Sequence, residues 1–205
     1  MNAEPGAALL GAHAPGATPL TPDDVRGLLV PATTHRDLNE FEAENILVGS
    51  RWASRSKKSR MPHMLTDSYV RELHRRMFGD VWEWAGQYRL IDTNIGIDWR
   101  QIGPRLVVGL GNAQHWLDHE MYEPEEFAIR LHHMVVQIHP FRNGNGRHSR
   151  MLADLILTKH FRAPRLPWGG AALGRTDPRR DEYLAAMTAA DGDRFDPLLR
   201  FCRSS

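Results

Sequence analysis

The chain has 205 residues, 41% hydrophobic and 25% charged, with 26 basic against 25 acidic side chains and a net charge of +1. That balance fits a single soluble globular domain with a real core, and it excludes a global electrostatic case for strong binding to nucleic acid or to an anionic membrane. The one cysteine, Cys202, excludes an intrachain disulfide and a cysteine-based zinc site and suits a reducing, cytoplasmic setting.

No apolar run approaches the roughly 18 residues of a spanning helix. The N-terminal stretch MNAEPGAALLGAHAPGATPL lacks a basic n-region, so no signal peptide is expected. Its Ala/Gly/Pro content predicts a flexible tail over 1–20. Thr21-Pro22-Asp23-Asp24 is a helix start, with a capping threonine, a first-turn proline and two acids at the positive end of the dipole. That helix runs through Leu29, is short and stops before Pro31. A second helix is predicted over 37–53, weakened at Gly49, with Asp37 as its cap. The stretch 54–62, SRSKKSRMP, reads as a solvated basic linker. Thr66-Asp67 opens a third helix, and Gly79 ends it.

The aromatic-dense run DVWEWAGQY (80–88) reads as core packing through Trp82, Trp84 and Tyr88. RLIDTNIGIDW (89–99) alternates apolar and polar residues around Asn94 and Gly96, which predicts a small β-hairpin or extended flap. A helix follows over about 103–119. The next starts at Pro124 and carries a buried stripe of Phe127, Leu131, Met134, Val135 and Ile138. Met151, Leu152, Leu155 and Ile156 mark another helix at once after residue 150. Residues 164–174 form a loop, 179–190 a last substantial helix, and 193–201 a short finish. The class is all-α with one small β element. It divides into the tail, N-terminal helices over 21–54, and a core over 55–205.

Between the fifth and sixth of these helices stands HPFRNGNGRHSR (139–150). Gly144 and Gly146 permit backbone conformations closed to other residues. With Asn145 they let several N–H groups turn inward at a helix N-terminus, which makes an anion site. Arg147 and Arg150 lie three apart on one side, and two guanidinium forks beside such a nest suit a polyphosphate. His139 sits at the other rim, and its ordinary pKa of about 6.5 suits it to take a proton from an attacking hydroxyl. Phe141 anchors the loop in the core. A base beside a phosphate cradle points to phosphoryl or nucleotidyl transfer. The adjacent His132 and His133 face different ways on a helix, and no carboxylate cluster accompanies them or His148, so a metal hydrolase is not expected.

These residues resemble the Fic family (filamentation induced by cAMP), whose motif is HPFx(D/E)GNGRxxR. Here it stands as His139-Pro140-Phe141-Arg142-Asn143-Gly144-Asn145-Gly146-Arg147-His148-Ser149-Arg150, with one departure. WEWAGQYR (82–89) and RRDEYLAAMTAADGD (179–193) extend the resemblance over about 35–201. DLNEFEAENI and NGNGRHSR are similar to the subgroup called mobile mystery protein B, which is associated with bacterial mobile elements. The resemblance implies a Fic-type helical bundle with a small β-hairpin flap. It also implies transfer of AMP or a related phosphate-containing group from ATP or another nucleotide to a protein hydroxyl.

Carried over, His139 is the base and Phe141 the anchor. Gly144, Asn145 and Gly146 form the anion hole, Arg147 and Arg150 bind phosphates, and Tyr183 lines the nucleoside side. A protein substrate would dock by strand addition on the flap of Leu90, Ile91, Asp92, Thr93, Asn94, Ile95, Gly96 and Ile97. Asn143 departs from the family's Asp or Glu, which holds Mg²⁺. An amide keeps one oxygen ligand and loses the charge, which predicts weaker Mg²⁺ binding or altered transfer. Glu40-Phe41-Glu42-Ala43-Glu44-Asn45 fits the family's inhibitory pattern (S/T)xxxE(G/N) except at Glu40. Glu44, in the helix over 37–53, is therefore a candidate inhibitory partner for Arg150 or, in a de-AMPylase, the residue that activates water. A catalytically weak regulatory module that binds a nucleotide or partner remains the alternative. A homo-oligomer is compatible with all of these.

Overall fold

The computed structural model describes residue 9 and residues 19–170 and 179–205. Eight α-helices form among them: α1 Pro22–Arg26, α2 His35–Arg55, α3 Asp67–Phe78, α4 Ile102–Asp118, α5 Pro124–Ile138, α6 Asn145–Ile156, α7 Arg179–Asp191 and α8 Asp196–Arg203. Capping boxes start α1 and α2: Thr21 pairs with Asp24, and Thr34 with Asp37. Asp37 thus acts three residues inside its helix rather than as the cap itself. Gly27 ends α1 two residues earlier than Leu29, after which Leu29 N–H donates to Val81 O and Glu83 N–H to Gly27 O. The chain beyond α1 is thereby tied to the aromatic run.

α5 and α6 pack against each other as the central pair. α2 and α3 pack together on one side, with α3 reaching α6. α7 and α8 pack together and close on α5 through α8, while α4 lies against α5. Gly49 does not weaken α2. A Cβ there would meet Arg76 O at 2.7 Å, so the glycine lets α2 and α3 approach closely. Trp82 and Trp84 are buried and stacked at 4.9 Å, as expected of core residues. Of the expected tail over 1–20, only residues 9, 19 and 20 lie among the described residues, and there Leu9 and Leu20 are buried in the core. The lone thiol of Cys202 is buried, and burial pushes its pKa up to about 12, which makes it inert at neutral pH.

The segment over 89–98 differs from a hairpin. No strand forms there, and the chain runs through bends before a short 3₁₀ turn at Trp99–Gln101. The reason lies in its hydrogen bonds. The carbonyls of Ile91 and Ile97 accept from the Arg89 guanidinium, Thr93 Oγ1 donates to Ile95 O, and Trp99 N–H donates to Asp92 Oδ1. Side chains take the backbone groups that a cross-strand ladder would have used. No helix among the described residues is long and apolar enough to cross a membrane.

Candidate active site

α5 ends in His139, which adopts the left-handed conformation at φ 54° and ψ 61°. A non-glycine residue there is uncommon and turns the chain sharply out of the helix. The His139 side chain is nearly buried. Its Nδ1 lies 3.3 Å from Val136 O, and since a carbonyl only accepts, Nδ1 carries the hydrogen of that contact. Nε2 then holds the lone pair that can take a proton. Burial lowers the imidazole pKa to about 4, with the nearby Arg89 charge adding to the effect and the Val136 carbonyl opposing it.

Phe141 is fully buried, stacked on His74 at 3.8 Å and edge-on to His148 at 5.2 Å. Asn145 closes the loop with its side chain. Its Oδ1 accepts from Phe141 N–H at 2.9 Å, and its Nδ2 donates to Phe141 O at 2.7 Å. Only the backbone of Asn145 therefore remains for anion binding. Gly144 starts α6 with φ +77°, and a Cβ there would strike the Phe78 ring at 2.6 Å. A Cβ on Gly146 would meet nothing within 4 Å, so the head of α6 opens onto space. The N–H groups of Asn145, Gly146 and Arg147 head α6 with no intrahelical acceptor, beside the positive end of the dipole.

The two arginines differ. Arg150 is largely buried, and burial pulls its pKa down. Among the described residues its guanidinium has no hydrogen bond or ion pair. Such a cation demands an anion. Arg147 already has one: its Nη1 donates to Glu42 Oε2 at 2.6 Å, and it lies over the Phe78 ring. Glu42 is 3% exposed, and its other oxygen accepts from Trp82 Nε1 at 2.7 Å.

Glu44 is exposed, and no contact joins it to Arg150. At 100° per residue it stands about 200° around α2 from Glu42. The buried stripe of α2 runs Leu38, Glu42, Asn45, Gly49, Ala53, which places position 42 on the site side and 44 away from it. That stripe was readable in the sequence as a helical repeat and would have singled out Glu42.

Asn143 Oδ1 accepts from Gly144 N–H at 2.6 Å. Its backbone carbonyl accepts from His74 Nε2 at 3.0 Å, while Gly86 N–H donates to His74 Nδ1 at 3.0 Å. His74 is thus a neutral two-way connector between the aromatic run and the motif loop. Burial, then the His148 charge, holds its pKa well below the ordinary value. Periodicity marked it only as a helix residue. No group of three His, Cys, Asp or Glu among the described residues could hold a metal ion. Asn143 offers one neutral oxygen, already in use, so these side chains do not make a divalent-cation site of their own.

His148 is a core residue whose Nε2 donates to Val70 O at 2.9 Å. His132 joins Ser149 Oγ and Tyr183 OH, both at 2.9 Å, so Tyr183 is held beside α6 by a buried network. Arg142 donates to the buried Asp24 at 3.0 Å, which ties the motif loop to α1. A cavity of about 180 Å³ opens between α1 and the 91–94 loop, lined by Thr21, Asp24, Arg89, Ile91 and Arg142 among others. It adjoins the loop rather than the head of α6. Leu90 and Ile91 stand exposed on that loop, at 63% and 43%.

Residues 64–157 match the Fic/DOC family. A probable protein adenylyltransferase of Sinorhizobium fredii is 34% identical over 79% of this chain and 82% of that protein. The chain belongs to the Fic/DOC family. Protein adenylyltransferase fic-1 of Caenorhabditis briggsae is 29% identical over 85% of this Fic chain, which spans only 33% of that relative's length. A Fic-domain signalling protein from Bacteroides thetaiotaomicron superposes with a TM-score of 0.65 at 20% identity, over 90% of this chain and 77% of that one. A Bartonella quintana Fic domain with bound ADP superposes at 0.60 and 18% identity, over 86% and 87%. The Fic helical fold is therefore that of this chain.

Proposed function

We propose that this Fic chain transfers AMP from ATP to a hydroxyl of a protein substrate. The observation that carries the reading is the largely buried Arg150 guanidinium, which among the described residues pairs with no carboxylate by hydrogen bond or ion pair, beside the open head of α6 and within the motif that bears His139. In the step, the hydroxyl oxygen forms a bond to the α-phosphorus as its proton passes to His139 Nε2. The bond from that phosphorus to the bridging oxygen breaks, and pyrophosphate leaves. Arg150 and the N–H groups of α6 balance the charge on the phosphates. Protein adenylyltransferases among the relatives and the ADP held by the Bartonella fold neighbour support this choice of nucleotide. The test is labelled ATP in cell lysate. Label on a protein with wild type and none with His139→Ala is expected, and equal labelling by the two overturns the reading.

The substrate docks by strand addition on the exposed loop at Leu90 and Ile91, pairing with backbone groups that the Arg89 guanidinium does not hold. Membership of the mobile mystery protein B subgroup rests on DLNEFEAENI and NGNGRHSR, and a gene carried outside any mobile element would remove it.

Mg²⁺ is a weak helper here, because Asn143 supplies an amide oxygen where a carboxylate would draw the cation. Transfer should need millimolar Mg²⁺, and Asn143→Asp should lower the half-maximal concentration about tenfold. A micromolar requirement in the wild type, unimproved by Asn143→Asp, would count against this.

The α2 carboxylate that restrains the site is Glu42. It occupies Arg147, one of the two phosphate-binding arginines. Glu42→Gln keeps an acceptor for Trp82 and removes the competing charge. Nucleotide affinity should rise about tenfold, within the usual range of coupling between sites, while Glu44→Gln leaves it within about twofold. Calorimetry on both variants decides, and a gain confined to Glu44→Gln would restore that residue to the role.

The rival reading is a Fic-fold module that binds nucleotide without transfer. It is favoured by one observation, the neutral Asn143, and would show as ATP binding with no labelled protein.

A further inference from the structure

Arg89 is 0% exposed, yet no carboxylate is within hydrogen-bonding distance of it. Asp92 comes only to 3.8 Å of Nη1, and its own side chain is 67% exposed. An exposed partner at that range contributes little. The guanidinium instead donates to backbone carbonyls: Nε to His139 O at 2.7 Å, Nη1 to Ile91 O at 2.8 Å, and Nη2 to Ile97 O and, at 3.4 Å, to Ile138 O. Its own N–H donates to Pro140 O at 3.0 Å.

These acceptors belong to two segments only. Ile138, His139 and Pro140 form the end of α5 and the start of the motif loop, where helix carbonyls lack partners and the dipole is negative. Ile91 and Ile97 are the two ends of the irregular loop beside the site. Gly96 lies between the two segments, where a Cβ would strike His139 Cβ at 2.5 Å and Arg89 Nη2 at 2.7 Å. One planar cation with several fixed donors therefore clamps the loop onto the backbone of His139.

We propose that Arg89 is a positioning residue: it holds the backbone of His139 in its left-handed turn and locks both ends of the 91–97 loop to it. The inference rests on the reading of His139 as the base. Arg89 touches no reacting atom, so it acts through His139 and the loop. Lysine keeps the charge but has one nitrogen, which cannot reach four carbonyls at once. Methionine keeps much of the volume and removes a buried charge, a change that folding commonly tolerates.

Arg89→Lys and Arg89→Met should each lower the kcat of AMP transfer about 100-fold, the cost of misplacing a catalytic group by about 1 Å. The KM for ATP should stay within about threefold, even in a variant whose melting temperature equals that of the wild type. A folded variant with wild-type kcat overturns the proposal, and so does a loss seen only in KM. NMR on the wild type decides independently of folding in the variants and of transfer. The Arg89 Nε–H should exchange slowly with solvent and show through-hydrogen-bond coupling to the His139 carbonyl, and fast exchange without coupling overturns the proposal. A wild type that transfers no AMP but shows this coupling removes the proposed reaction and leaves the clamp standing.

Discussion

His139→Ala should lower the rate of the proposed AMP transfer by roughly 10² to 10⁴, the usual span for loss of a positioned general base. ATP binding stays within a few-fold, because Arg150 and the N–H groups at the head of α6 are untouched. The pH profile of the wild type adds a second signature. A histidine at its ordinary value would lose half its basicity near pH 6.5. Here burial, opposed by the Val136 carbonyl and helped by the Arg89 charge, sets the His139 pKa at about 4. The neutral imidazole is the active form, so the rate should hold level from neutral pH to about 5 and fall only as pH drops toward 4. Rates of labelled-ATP transfer across pH measure both effects. An acid limb centred on 6.5, or a His139→Ala variant that transfers at the wild-type rate, would defeat the assignment.

Phe141→Ala costs about 3–5 kcal/mol of folding stability, the range for emptying a buried aromatic site. The ring is fully buried and touches both sides of the motif: His74 at 3.8 Å from α3, His148 at 5.2 Å from α6, and Tyr88 at 6.2 Å from the aromatic run. Asn145 clasps the same residue's backbone through two hydrogen bonds, which limits collapse into the cavity. For a chain of this size each kcal/mol moves the melting temperature by about 2–4 °C, so a fall of roughly 6–20 °C is expected by calorimetry. That is a large part of a typical total of about 5–15 kcal/mol. A loss under about 1 kcal/mol would mean that Phe141 is not the anchor.

Much of the helical order was legible in the chain. Thr66 and Pro124 mark helix starts by local chemistry, and Gly79 marks an end, so α3 and α5 lie close to where capping and periodicity place them, while α2 starts two residues before the expected 37, capped by Thr34 instead of Asp37. The loop over 89–98 was not legible. Its alternation of apolar and polar residues is that of a strand, but Arg89, Thr93 and Asp92 take up backbone groups through their side chains. Alternation reports which side chains face inward, and it carries no information on which atoms accept the hydrogen bonds.

Within the site, residues 139–150 by themselves pointed to the proposed base, the buried anchor, the glycine turn and the two cations, because each follows from residue type and spacing inside one short joint between helices. Their partners come from elsewhere in the chain, and only the tertiary structure decided them. Glu42 sits 105 positions from Arg147, Asp24 118 from Arg142, His74 69 from Asn143, and Arg89 50 from His139. Those four contacts set which arginine is occupied, how the loop is tied down and how the His139 backbone is held. No local pattern encodes them, because a charged or imidazole side chain reads as surface until packing removes its water and leaves one partner within reach.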